Sequence, residues 1–168
     1  IHYASRIQRA LLPSIKLLDE CTQNYFVLFR PRDIVSGDFY WLARKGDRLF
    51  IAAADCTGHG VPGAFMSLLG ISFLEEIVSK NPLGKANQIL NKLRHQVVIS
   101  LKQVGEADEQ KDGMDLGLII VDYKKRIIEF AGAYNPCLKV RKLNQGEVTE
   151  WKMGSYVVPE DGMTDGKY

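Results

Sequence analysis

The spacing of apolar residues changes period several times along the chain. In IHYASRIQRALL, Ile1, Ala4, Ile7, Leu11 and Leu12 recur at helical spacing, and Pro13 closes the segment. This predicts a helix over residues 1–13 that either lies on the domain's own core or continues upstream as a signalling helix. Tyr25–Arg30, Asp38–Arg44 and Arg48–Asp55 read as strands. Lys45-Gly46-Asp47 joins the last two as an antiparallel hairpin. From Pro62 the run PGAFMSLLGISFLEEIVSK is apolar nearly all round, which predicts a helix buried between layers. A second helix over Pro82–Leu101 gathers Ala86, Ile89, Leu90, Leu93, Val97 and Leu101 on one stripe and should pack on a sheet.

QVGEADEQKDG reads as a polar loop, after which Leu116–Asp122, Arg126–Ala131 and Cys137–Arg141 return to strands. Residues 143–168 have weak periodicity and many turn formers, so no element is assigned there. Strands, then two helices, then strands again predict an α+β fold with antiparallel sheet packed on paired helices.

Composition narrows the function classes. The 168 residues suit one domain, 1–168, with a core large enough to stand alone. Interspersed charges, 22 basic and 20 acidic, leave a net +2 and no electrostatic footprint for nucleic acid. Cys21, Cys56 and Cys137 fall at unrelated spacings without a C-x-x-C pair, which predicts free thiols in a reducing compartment and no zinc site. The apolar run Gly63–Leu74 is too short to span a bilayer, and no signal-peptide pattern opens the chain. A cytoplasmic domain without direct membrane insertion is expected. The start in mid-pattern, without Met, is what a part of a longer protein would show.

Two segments carry candidate chemistry. In RPRDIVSGDFYW, Asp38 follows Gly37 and precedes aromatics. In ADCTGHGVPGA, Asp55 ends an apolar strand and a glycine-rich turn leads into a helix. A carboxylate at a strand end, with exposed carbonyls beside it, suits a hard cation such as magnesium or manganese. The plain alternative is an Asp that caps the following turn. Glycines 58, 60 and 63 permit backbone angles closed to other residues and let backbone approach a ligand. The turn lacks the Lys-Ser/Thr of a nucleotide-binding loop, and Thr57 does not sit in a nucleophile-elbow frame.

Taken together, three motifs resemble one family. They are A-x-x-I-Q-x-x-L-L-P (Ala4 to Pro13), F-x-P-x-x-x-V-x-G-D-F-Y-W (Phe29 to Trp41) and A-D-C-T-G-H-G-V-P-G-A (Ala54 to Ala64). D-G-M-D (Asp112 to Asp115) and F-A-G-A-x-N-P (Phe130 to Pro136) extend the match. The chain resembles the SpoIIE and RsbU class of bacterial PPM-type serine/threonine phosphatases over about residues 4–142. That resemblance implies a four-layer αββα sandwich, two antiparallel sheets flanked by helices, with two manganese or magnesium ions in a cleft at one edge. It also implies Asp38 and the bridging Asp55 as metal ligands, with Cys56 donating its backbone carbonyl. His59 would orient the phosphate or give the leaving oxygen a proton, or else only fix a turn. Arg32 would bind the phosphate, as would the backbone at Gly58; the same arginine could equally be a solvated charge.

Family members continue through a T-D-G strand and a later acidic motif. Here Asp161-Gly162 resembles the first without a preceding apolar strand, and the second is absent, so Asp161 is carried over as a further metal ligand and residues 143–168 as an incomplete C-terminal part. The expected activity is hydrolysis of phosphoserine or phosphothreonine on a regulator of the anti-sigma-factor-antagonist type, under control of an upstream sensor domain. A homodimer through the N-terminal helix is the companion expectation. The competing reading is a pseudophosphatase that binds its partner without hydrolysis.

Overall fold

In a computed structural model of the protein, the residues described are 2–22, 24–103, 112–142 and 148–154. Strands β1 (Phe39–Lys45) and β2 (Arg48–Cys56) form the expected hairpin, with Lys45 opposite Arg48. Gly46 turns the chain at φ 60, a left-handed angle that glycine adopts without cost. β3 (Met114–Asp122) pairs antiparallel with β2, and β4 (Ile127–Ala133) pairs antiparallel with β3. The sheet order is therefore β1-β2-β3-β4.

Period-two alternation sorts this sheet into two faces. Phe39, Trp41, Phe50, Ala52, Ala54, Leu116, Leu118 and Ile120 point to one side and are buried there. Helices α3 (Gly60–Lys80) and α4 (Ala86–Ser100) cover that side. In α4 the predicted stripe is buried from Ala86 through Val97. Helix α3 comes so close to β1 that a Cβ on Gly70 would lie 2.8 Å from the Phe39 ring. At 21 residues, α3 is long and apolar enough to cross a bilayer, in contrast to the expectation from the Gly63–Leu74 run alone. Here it is a core layer, with Ser67, Leu74 and Val78 fully buried.

The far end of the sheet is pinned by Arg48, which is 5% exposed. Its guanidinium donates to the Pro82 carbonyl at 2.6 Å and to Glu129 at 3.4 Å, and Nε lies 3.8 Å from Asp122. Glu129 also accepts the Ala86 amide at 3.3 Å, so one buried ionic knot fixes the α3–α4 connection to three strands.

Two expectations are corrected. Residues 25–30 form no strand: they cross the second face of the sheet unpaired, with Phe26 and Leu28 exposed and the Phe29 ring set edge-on to Tyr40 at 5.7 Å. A short helix α2 (Lys16–Cys21) precedes them and seats Leu18 against Leu42 and Leu49. The N-terminal helix α1 (His2–Leu11) forms as predicted but faces the other way. Ser5 and Gln8 are its buried residues, while Ile7 and Leu11 are 43% and 49% exposed. The reason is polar matching, since Gln8 meets backbone groups of the sheet's lead-in that need partners.

β5 (Cys137–Lys142) and β6 (Val148–Gly154) make a separate antiparallel pair, the latter in a stretch where no element was assigned. The described residues thus form a mixed α+β fold with α3 and α4 on one face of an antiparallel sheet and the short α2 against the other. The polar loop after α4 lies mostly outside the described residues, as does Asp161.

Candidate active site

The hairpin register builds the site. Phe39 pairs with Ala54, so one residue further out Asp38 comes level with Asp55. Asp55 in turn pairs with Asp115 on β3. Alternation places these positions on the sheet face away from the helices, at one end of the strands. Asp38 and Asp55 are within hydrogen-bonding reach of each other. Partial burial, then that hydrogen bond, then the charge of Asp55 raise the Asp38 carboxyl above its ordinary value. Two carboxylates this close ionise together only where a cation offsets their charge. Such an oxygen-rich, negatively charged pair fits a hard dication. Among the described residues no three His, Cys, Asp or Glu side chains converge to enclose an ion.

Cys56, the next residue after Asp55, turns its side chain into the helix-side core and is 4% exposed. Burial, then the negative charges of Asp55 and Asp38, push its thiol up to about 12. The thiol stays protonated at neutral pH and serves as neither nucleophile nor thiolate ligand. Its backbone carbonyl is the donor that remains.

The glycine turn is packed backbone against backbone. Gly58 and Gly60 adopt φ 86 and 64. A Cβ on Gly63 would lie 2.6 Å from the Gly58 carbonyl and 3.1 Å from the Gly37 Cα. One on Gly37 would lie 2.9 Å from the same carbonyl. Only glycine lets the lead-in of β1, the turn and the first helical residues touch in this way. Thr57 ties the turn to the start of β3: its amide donates to the Gly113 carbonyl at 2.9 Å, and its hydroxyl accepts the Gly113 amide at 3.0 Å.

His59 is the residue before α3 and makes no side-chain cap bond. Its ring is 74% exposed, and Nδ1 lies 3.4 Å from an Asp33 carboxylate oxygen. Arg32 is exposed on the same 30–36 segment. A cleft of about 740 Å³ is lined by Asp38, Asp55 and Asn135 together with the apolar sheet residues Tyr40, Leu42 and Ile51. His2 and His95 are exposed.

Ser36 and Ser67 escaped the sequence reading, and Gln8 stood in the first motif without a role. Gln8 Nε2 donates to the Ser36 carbonyl at 2.6 Å and to the Ser67 hydroxyl at 2.8 Å, and its Oε1 accepts the Ser36 amide at 3.0 Å. A glutamine on an amphipathic helix reads as solvent-facing, so the motif position was the only sequence signal for it, and the fold shows what it does.

No protein-family model matches the chain, and no curated protein matches it. Solved structures do. The SiaA-PP2C domain of Pseudomonas aeruginosa is 34% identical with a TM-score of 0.70, over 82% of this chain and 53% of that one. A structure of the PP2C phosphatase domain and a fragment of the regulatory domain of the cell fate determinant SpoIIE from Bacillus subtilis matches at TM-score 0.53 and 21% identity, over 73% of this chain and 32% of that one. A Stage II Sporulation E family protein from Thermanaerovibrio acidaminovorans matches at TM-score 0.50 and 14% identity, over 66% and 50% of the two chains. The last two likenesses concern fold alone. The chain spans about half of the SiaA domain, 53%.

Proposed function

We infer, because this chain is a SpoIIE-like member of the PP2C-type phosphatase domains, that it hydrolyses phosphoserine or phosphothreonine on a regulatory protein in signalling. The observation that carries this reading is the Asp38–Asp55 pair, set at a strand end beside the backbone-packed glycine turn. The likeness to the SiaA-PP2C domain supports the same chemistry.

Asp38, Asp55 and the Cys56 carbonyl would hold two manganese or magnesium ions, with Asp161 as a further ligand. When bound, the ions would acidify water and neutralise phosphoryl oxygens. The chain's own residues do the rest. Arg32 and the backbone at Gly58 hold the phosphoryl group. Water adds to phosphorus as the ester P–O bond breaks, the serine or threonine oxygen leaves with a proton that we assign to His59, and the proton given up by the attacking water restores that imidazole. Asp33 orients that ring from 3.4 Å. No covalent phosphoenzyme forms.

The second sheet face, open over Ile51, Ala53, Ile119 and Ile128, supports a four-layer sandwich in which a second antiparallel sheet covers it. β5 and β6 would begin that sheet. A phosphorylated regulator of the anti-sigma-factor-antagonist type is the proposed substrate, in the cytoplasm, with an upstream sensor on the same chain. The exposed Tyr3, Ile7 and Leu11 support a homodimer through α1.

The test is phosphate release from a phosphoserine protein. It should require manganese or magnesium, stop with chelator, and vanish in Asp55→Asn together with manganese binding in calorimetry. Metal-independent turnover or a trapped phosphoenzyme would rule the mechanism out. Tight manganese binding without any phosphate release would leave a pseudophosphatase.

A further inference from the structure

Strand β4 ends at Ala133, and the chain does not run straight on. Tyr134 takes φ 54, a left-handed angle uncommon for a residue with a side chain, and the backbone folds back onto the sheet. The place it meets is bare, because Gly117 and Gly132 stand opposite each other in the β3–β4 ladder. A Cβ on Gly132 would collide with the Asn135 carbonyl and would lie 2.9 Å from the Phe130 ring. Glycine at 132 is what lets the Asn135 backbone settle on β4. The consequence is positional. Asn135, half-buried, lines the same cleft as Asp38 and Asp55, so three strand ends supply it: the lead-in of β1, the last turn of β2 and the exit of β4. Among the described residues nothing bonds to the Asn135 side-chain amide.

We propose that Asn135 is a substrate-positioning residue: its side-chain amide donates to a phosphoryl oxygen of the phosphoserine or phosphothreonine held at the Asp38–Asp55 site. This rests on the phosphatase reading given above. A phosphoryl dianion beside two carboxylates needs donors that are not themselves drawn to the carboxylates. A lysine or arginine at 135 would pair with Asp38 or Asp55 and take the place of a cation. The neutral amide offers two N–H donors without a charge, so it leaves the carboxylates to the ions and turns to anionic oxygen. A plain turn residue before Pro136 would need no place in the cleft.

The experiment compares Asn135→Asp and Gly132→Ala with the parent in the full-length protein, in manganese buffer. It reads KM and kcat on a phosphoserine peptide, inhibition by inorganic phosphate, manganese affinity by calorimetry, and melting temperature. Asn135→Asp keeps the size and turn-forming character of the residue and replaces its donors by a negative acceptor. KM and the inhibition constant for phosphate should each rise about tenfold, with kcat within about threefold and manganese bound no more weakly than by the parent. Gly132→Ala displaces the Asn135 backbone and should move KM and phosphate inhibition the same way, with a lower melting temperature.

Tighter manganese in Asn135→Asp, with parental KM and parental phosphate inhibition, would make Asn135 a metal ligand and overturn the proposal. Parental values throughout would leave it a turn residue and overturn it equally. If Gly132→Ala does not fold, Asn135→Asp alone decides. A parent that releases no phosphate removes the phosphatase reading, and calorimetry with inorganic phosphate in manganese buffer then decides this one. Phosphate binding that Asn135→Asp weakens upholds the donor; absent or unchanged binding sinks it.

Discussion

Asp38 and Asp55 stand side by side across the open end of the β1–β2 hairpin, and the hydrogen bond and charge of Asp55 add to partial burial in making Asp38 harder to ionise unless positive charge is near. The pair therefore opposes folding in the metal-free protein and becomes useful only with a cation.

Its pH dependence follows. The Asp38 carboxyl is raised above 3.8, so its favourable contribution is present below that pH and is lost as pH rises through the raised value. Asp38→Asn removes the repulsion. At neutral pH without metal the variant should melt roughly 1–3 °C above the parent, a small gain because the group is largely solvated. The gap should close below pH 3.8. With saturating manganese the order should reverse, since the variant has given up a ligand charge. Calorimetric melting with and without chelator reads all three arms; parental behaviour in every condition would mean the two groups do not interact.

Gly63→Ala tests the packed turn. The new methyl would sit 2.6 Å from the Gly58 carbonyl, so backbone must shift at the site itself. The expected cost is about 1–3 kcal/mol of stability, with manganese binding weakened at the same time. A variant that loses neither would show that the turn has room the structure denies.

The Arg48 knot should matter for folding and for nothing else. Asp122→Ala leaves a guanidinium that is 7% exposed with only the partly exposed Glu129 as ionic partner. A loss of about 3 kcal/mol, or roughly 5–10 °C in melting temperature, is expected. Manganese affinity in the folded protein should equal the parent's; a change there would mean strain travels from the far end of the sheet to Asp55.

Ile7→Asp and Leu11→Asp probe the outward face of α1. At 43% and 49% exposure, these side chains contribute little to the domain's own packing. Melting temperature should move by less than about 2 °C, while a dimer, followed by sedimentation over a concentration series, should dissociate. Unfolding in either variant would show that the stripe is covered by its own domain.

Much of the site was legible in the chain because it depends on local counting. The Lys45-Gly46-Asp47 turn marked Asp38–Arg44 and Arg48–Asp55 as a hairpin with its two carboxylates at the ends of neighbouring strands; the structure narrows the turn to Gly46-Asp47, so Lys45 faces Arg48 and Asp38 comes level with Asp55. The α4 stripe was legible for the same reason: a helix displays its period in its own sequence. Tertiary structure decided what local pattern cannot encode. Asp115 meets Asp55 only because β3 returns beside β2 after two helices. Residues 25–30 have strand-like composition, yet a strand needs a partner edge, and among the described residues this segment pairs with none. Helix α1 presents an apolar stripe, but the surface it reaches exposes the amide and carbonyl of Ser36, so Gln8 turns inward and Ile7 and Leu11 turn out. An unpaired buried peptide group costs more than two half-exposed aliphatic side chains, and that inequality depends on which groups the fold brings together.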